Sequence, residues 1–154
     1  MKNKKVVGHK QKLDAIFKKV EELDADPELI AHWSRYLCVL VSGFVEASVR
    51  TLIADYASDR SAPEIAHFVG KRLKMFTNAK MNKIYDVVSE FGNDFQDELA
   101  KNIDDEMKDA VDSVVSNRHL IAHGKDVGIG YATIKQYYES AVKAVEEIEK
   151  RFDS

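Results

Sequence analysis

Cysteine occurs once in this chain, proline twice and glycine seven times in 154 residues, and each scarcity excludes something. With so few breakers, and with no stretch alternating apolar and polar residues long enough to make a strand, the sequence reads as all-α. The single thiol, Cys38, can form no internal disulfide, which fits a reducing compartment. It lies in an apolar helical stretch, so it reads as a buried, inert side chain and not as a nucleophile, which would want a cationic setting. No run approaches the roughly 18 consecutive apolar residues of a membrane span, and the basic start MKNKKVVGHKQK is not followed by the apolar core of a signal peptide. The expectation is a cytoplasmic protein with no membrane partner.

What is present is ordinary for a globular chain: 45% hydrophobic and 32% charged residues, at a length that one core can serve. A single helical domain over 1–154 is expected, with 1–8 as a flexible basic N-terminus. The net charge of −3 argues against indiscriminate nucleic-acid binding, yet the two signs are segregated. Lysines crowd the first nineteen positions and the stretch GKRLKMFTNAKMNK, whereas acids crowd FGNDFQDELAKNIDDEMKDAVD. Each basic stretch is either a solvated helix face or a phosphate contact, and the second would make binding depend on salt.

Helix punctuation is legible. Asp26 before Pro27 has the form of an N-cap with proline at the first helical position; Ser61 with Glu64, Asn93 with Gln96 and Thr133 with Gln136 have capping-box spacing. These signals predict helices near 9–24, 27–58, 62–76, 79–91, 94–122 and 134–152. The architecture expected is an up-and-down bundle of four to six helices, two of them long, with a shorter helical insertion. The first helix either packs on the bundle or serves as a basic arm.

Two constellations carry chemistry. In the long helix around FVEASVR, Leu37, Val41, Phe44, Val45, Ser48 and Leu52 mark a core stripe, while Gly43, Glu46 and Arg50 fall in one polar arc, since each residue turns a helix by about 100°. Either Glu46 and Arg50 form a solvated i,i+4 pair, or something polar packs there and Gly43 admits a close approach. The second is SNRHLIAHGKD, Ser116 to Asp126, on a helix expected to bring Val111, Val114, Val115, Leu120, Ile121 and Ala122 to the core and to stop at Gly124. His123 then sits in the last turn, where the partial negative charge of the helix end favours a cationic ring. His119 shares its face at i,i+4. Arg118 lies about 140° around from His123, so the two meet only if the helix loosens, the guanidinium reaches around, or a second chain takes part.

Three readings compete for this segment. A metal pair has H-x-x-x-H spacing on its side, but the glutamate of HExxH is absent and no third ligand follows. A structural role would have the histidines and arginine capping carbonyls at the helix end. The third is catalysis on a phosphodiester.

Arg118 to His123 has Arg-x4-His spacing, with a polar His119 directly after the arginine and Ala-His-Gly at the helix end. This phrase, NRHLIAHG, resembles the motif of the HEPN superfamily of all-helical ribonuclease domains, and within it the RiboL-PSP branch, over about residue 30 to the end. In that family an early helix adds an acid to the site, a place that Glu46 matches. The resemblance implies a metal-independent endoribonuclease without cofactor, acting through 2′-hydroxyl attack at a composite cleft in a homodimer. It implies His123 as general acid/base, Arg118 as clamp on the phosphate and Glu46 as orienting acid, with Asn117, His119, Arg50 and Lys125 as substrate contacts. RNA is the implied partner, with an antitoxin or other regulatory protein in a toxin or phage-defence role. The alternative is a non-catalytic module of the same kind that binds RNA, a nucleotide or a protein. One departure stands out: Lys125 occupies the place where relatives paired with a nucleotidyltransferase antitoxin carry a tyrosine, so control by nucleotidylation there is not expected. Tyr131, Tyr137 and Tyr138 are either helix packing or base-stacking rings. His9, His32 and His67 belong to no constellation.

Overall fold

The computed structural model describes residues 1–153, and these hold seven α-helices and no strand. They are α1 (Lys4–Glu21), α2 (Pro27–Arg60), α3 (Pro63–Leu73), α4 (Met81–Ser89), α5 (Asn93–Asn102), α6 (Asp105–Ala122) and α7 (Tyr131–Asp153). The fold is all-α, with one helix more than the punctuation predicted. The extra helix comes from a break in the span read as 94–122. Ile103 is extended, and Asp104 caps α6 by accepting the Met107 N–H at 2.8 Å. Asp105 and Glu106 follow in the first turn, where negative charge suits a helix start.

The other caps divide. Asp26 accepts the Leu29 N–H at 2.8 Å, with Pro27 at the first position, as the sequence indicated. Ser61 does not cap α3: its hydroxyl turns back to the Ala57 carbonyl at 2.6 Å, closing α2, and Ala62 starts α3 without a side-chain cap. Gly92, at φ 131°, precedes α5, which leaves Asn93 as its first residue. Thr133 lies inside α7, which begins at Tyr131 after a glycine-bearing turn.

The bundle is built on α2, α6 and α7, which pack on one another, with α1 against α2. Ring contacts of Phe44 with Tyr138 and of Tyr56 with Phe152 show α2 and α7 running parallel. Cys38 Sγ lies 3.5 Å from the Val114 carbonyl, and Ser140 Oγ donates to Glu106 at 3.2 Å, so α6 runs against both. The last turns of α6 therefore lie level with the first turns of α2. Leu37, Val41, Phe44, Val45, Ser48 and Leu52 are buried, as their spacing demands. On α6 the core stripe is shorter than expected: Val111, Val114 and Val115 are buried, but Leu120 and Ala122 are exposed and Ile121 only half-covered.

Residues 1–8 are docked. α1 starts at Lys4, and the backbone N–H groups of Lys2 and Asn3 donate to the buried Glu149 carboxylate at 2.9 and 2.6 Å. By length and composition α2 also passes for a membrane-crossing helix, with a mean hydropathy of 1.7 over its most apolar window. No unbroken apolar run signals this, because its serines and glycine interrupt the run while barely lowering the average. More than half of that window, 56%, is buried in the bundle.

Candidate functional site

The segment NRHLIAHG ends α6 in a Schellman motif. The Gly124 N–H bonds the Ile121 carbonyl at 3.1 Å, the Lys125 N–H bonds that of Leu120 at 2.9 Å, and Gly124 sits at φ 70°. Glycine adopts this left-handed geometry without the penalty of a Cβ. His123 is thereby the cap residue just past the end of α6, exposed, with its ring 4.4 Å from that of His119 between centroids. The carbonyls of His119, Leu120 and Ile121 accept from backbone donors, and among the described residues no hydrogen bond joins the His119, His123 or Arg118 side chains to a carbonyl of this helix end.

Arg118 is half-buried and turned the other way. Its Nη1 reaches the Asn78 side-chain oxygen at 3.5 Å, at the edge of hydrogen-bonding distance. Asn78 stands on the connection between α3 and α4 with φ 53°, a conformation that asparagine tolerates better than most residues. That connection is fastened at several points: Arg50 Nε donates to the Phe76 carbonyl at 3.1 Å and Nη2 bonds the same oxygen; Lys83 bonds the Thr77 carbonyl; Asp112 accepts the Met81 N–H at 2.8 Å. Arg50 is in turn paired with Glu46 at 3.1 Å, both partly buried. The polar notch of α2 thus holds a neighbouring backbone, and a simple solvated pair does not describe it. Gly43 is exposed with nothing near its Cα hydrogen.

The structure therefore brings Glu46, Arg50, Asn78 and Arg118 into one connected cluster, through the 76–78 backbone. Among the described residues no hydrogen bond or ion pair joins Glu46 to Arg118 or His123. Within a single chain Arg118 and His123 do not meet either, as their angular separation on the helix required. Beside them a groove of about 410 Å³ is lined by Asn78, Lys80, Val115, Ser116, His119 and Leu120. Asn117 is not in that lining; it is turned about 160° from His119 by helix rotation. Lys125 is exposed past the helix end. Asn78, Ser116 and Asp112 were missed from sequence, and Lys80 was read only as one cation of a basic stretch. The basic stretch containing TNAK was the available signal, but only the fold sets it against α6.

The remaining candidates are structural. Burial pushes the Cys38 thiol up to about 12, which keeps it unreactive. Tyr138 is buried, stacked on Phe17 at 4.6 Å, and donates to Asp14 at 2.5 Å; Tyr131 bonds the Phe17 carbonyl. His9 is half-buried edge-on to Phe44, where burial and then nearby Lys12 lower its pKa. Among the described residues no three His, Cys, Asp or Glu side chains gather as a metal site.

The described helices form an all-α bundle, which is consistent with a HEPN helical domain. A family model described as RiboL-PSP-HEPN matches residues 9–154, and the chain belongs to that family. No curated protein and no solved structure matches it.

Proposed function

We propose that the protein is a metal-independent endoribonuclease whose active form is a homodimer with a composite cleft. The observation that carries this reading is the disposition of α6: Arg118 and an exposed His123 stand at its end beside a groove furnished with Lys80, Asn78 and His119. Cleavage without a metal uses the neighbouring 2′-hydroxyl. A base takes its proton, the 2′-oxygen bonds to phosphorus, the bond from phosphorus to the 5′-oxygen breaks, and that oxygen takes a proton from an acid. The products are a 2′,3′-cyclic phosphate and a 5′-hydroxyl. One imidazole does not serve both sides of phosphorus in one step, whereas His123 from each of two copies does. Arg118 from both copies clamps the equatorial oxygens as charge builds. Two-fold pairing also resolves the failure of Arg118 and His123 to meet within one chain.

In this reading Glu46 is a positioning residue, acting through Arg50 and the 76–78 backbone on Asn78 and Arg118. His119 and Lys80 contact phosphate, and Lys125 extends the cationic surface. Asn117 contributes only from a second copy. The reading includes a cytoplasmic location and a toxin or phage-defence role under a regulatory protein, by analogy with other HEPN proteins. The competing reading is a non-catalytic module that binds RNA, a nucleotide or a protein in the same cleft. End-labelled RNA incubated with the pure protein and a chelator, beside the same strand with 2′-deoxy sugars, separates the two. Cutting of the ribose strand alone supports the ribonuclease. Retention of both strands without scission, over a survey of tRNA, mRNA and structured RNAs, supports the binding module.

A further inference from the structure

The groove beside the tip of α6 differs from two larger hollows of the molecule in what its walls leave unused. Between α1 and α7, Lys10, Lys18, Lys135 and Lys143 face as many acids. Between α3 and α4, Arg72 and Lys83 are set against Asp86 and Glu90. The α6 groove, of about 410 Å³, has Lys80 and no acid; its other walls are Asn78, Val115, Ser116, His119 and Leu120. Among the described residues the Lys80 ammonium, the Ser116 hydroxyl and the Asn78 amide nitrogen have no hydrogen-bond or ion-pair partner. The Lys80 N–H closes on the Asn78 carbonyl at 2.8 Å, a tight turn that brings both side chains to the groove.

Such walls ask for an occupant with apolar faces, acceptors on its edge and a negative charge attached. Phosphate alone offers no apolar surface to Val115 or to Leu120, which is 42% exposed. The unit attached to a phosphate in RNA that does is an unstacked base. Asn78 also decides which edge is read. Its oxygen is turned to Arg118 Nη1 at 3.5 Å, so what it offers the groove is the N–H₂ donor. With the Lys80 ammonium and a Ser116 hydroxyl that can donate, the groove is a set of donors. Uracil and guanine bring carbonyl acceptors to such a set, whereas cytosine and adenine bring an exocyclic amine, donor against donor.

We propose that this groove takes one unstacked RNA base beside the phosphate held by Arg118, and that Asn78 makes it select uracil and guanine. Placing that base at the cut rests on the ribonuclease reading; binding of the base does not. The test uses a short fluorescent strand, 2′-deoxy throughout and so uncleavable, and abasic at every position but one, which carries uracil, guanine, adenine or cytosine. Anisotropy is expected to show the uracil and guanine strands bound about tenfold tighter than the other two. In Asn78→Asp the carboxylate still accepts from Arg118 but replaces the N–H₂ with an acceptor, and aspartate tolerates the left-handed backbone. The order of the four bases should then reverse. Leu120→Ala should weaken all four strands alike. Equal binding of the four strands, or binding of none, overturns the proposal, as does an order that survives Asn78→Asp. So does a fall in sedimentation mass of Leu120→Ala alone, which would make the groove a contact between copies. A chain that ranks the bases in this way yet cuts no ribose strand defeats the ribonuclease reading and leaves the base site standing. One that cuts RNA but binds the four strands equally does the reverse.

Discussion

α7 and α3 are both amphipathic helices, yet they are anchored in opposite ways. α7 buries residues along its whole length, from Ile134 to Phe152, and is tied to α1 by Tyr131, Tyr138 and Glu149. α3 buries a single residue and turns phenylalanine and isoleucine to water. A polar site needs a scaffold that does not move and a border that can, and the α3–α4 connection, reaching both Arg50 and Arg118, is where the two meet. Stability therefore belongs to α1, α2, α6 and α7, while function is expected to respond to what happens around residues 63–80.

The contrast is broken most sharply at the site itself. Arg118→Ala and His123→Ala are each expected to lower RNA cleavage by about 10²–10⁴-fold while the protein stays folded, as read by product accumulation from end-labelled RNA and by circular dichroism. Unchanged cleavage in either variant would remove that residue from the chemistry. Next come paired truncations: Phe44→Ala, in the fully buried core of α2, should cost about 3–5 kcal/mol in urea unfolding, against less than about 0.5 kcal/mol for Phe68→Ala on α3. Comparable losses would mean that α3 is part of the scaffold after all. Gly124→Ala should cost about 1–2 kcal/mol, because the residue sits at φ 70°, and should displace His123 enough to weaken cleavage as well. A stability change without a change in cleavage would show that the helix terminus does not position the imidazole.

The smallest effect expected is one of pH. The His9 ring titrates lower in the folded protein than in the unfolded chain, through burial first and Lys12 second. Its contribution is complete above the unfolded value, about 6.5, and is lost as pH falls through the folded value, since the unfolded chain takes up the proton first. Denaturation midpoints should fall in this window for wild type and fall less for His9→Leu; equal slopes would place the acid sensitivity elsewhere.

Much of this was legible in the sequence because periodicity and caps are local. The stripe of α2, the Asp26 cap and the stop at Gly124 each rest on residues within a turn or two of one another. The Ser61 and Asn93 signals misled for the same reason: a hydroxyl has two helices within reach at a short corner, and a glycine with positive φ can start a helix without a side-chain cap. The break before Asp104 was hidden by the acids on both sides, which suit a helix start as well as a continuous surface. The pairing of Glu46 with Arg50 was readable, but their grip on Phe76 was not, since it joins residues 26 apart through a backbone carbonyl. Asn78 lacked any motif and became part of the site only because the connection is folded against α6.

The Schellman closure of α6 has an evolutionary consequence. Since main-chain atoms alone terminate the helix, the outward side chains from His119 to His123 bear no architectural duty, and the identity of each is open to selection for the reaction or the ligand. Descendants of this fold can exchange one chemistry for another at that tip, or abandon catalysis altogether, while inheriting an unaltered chain path.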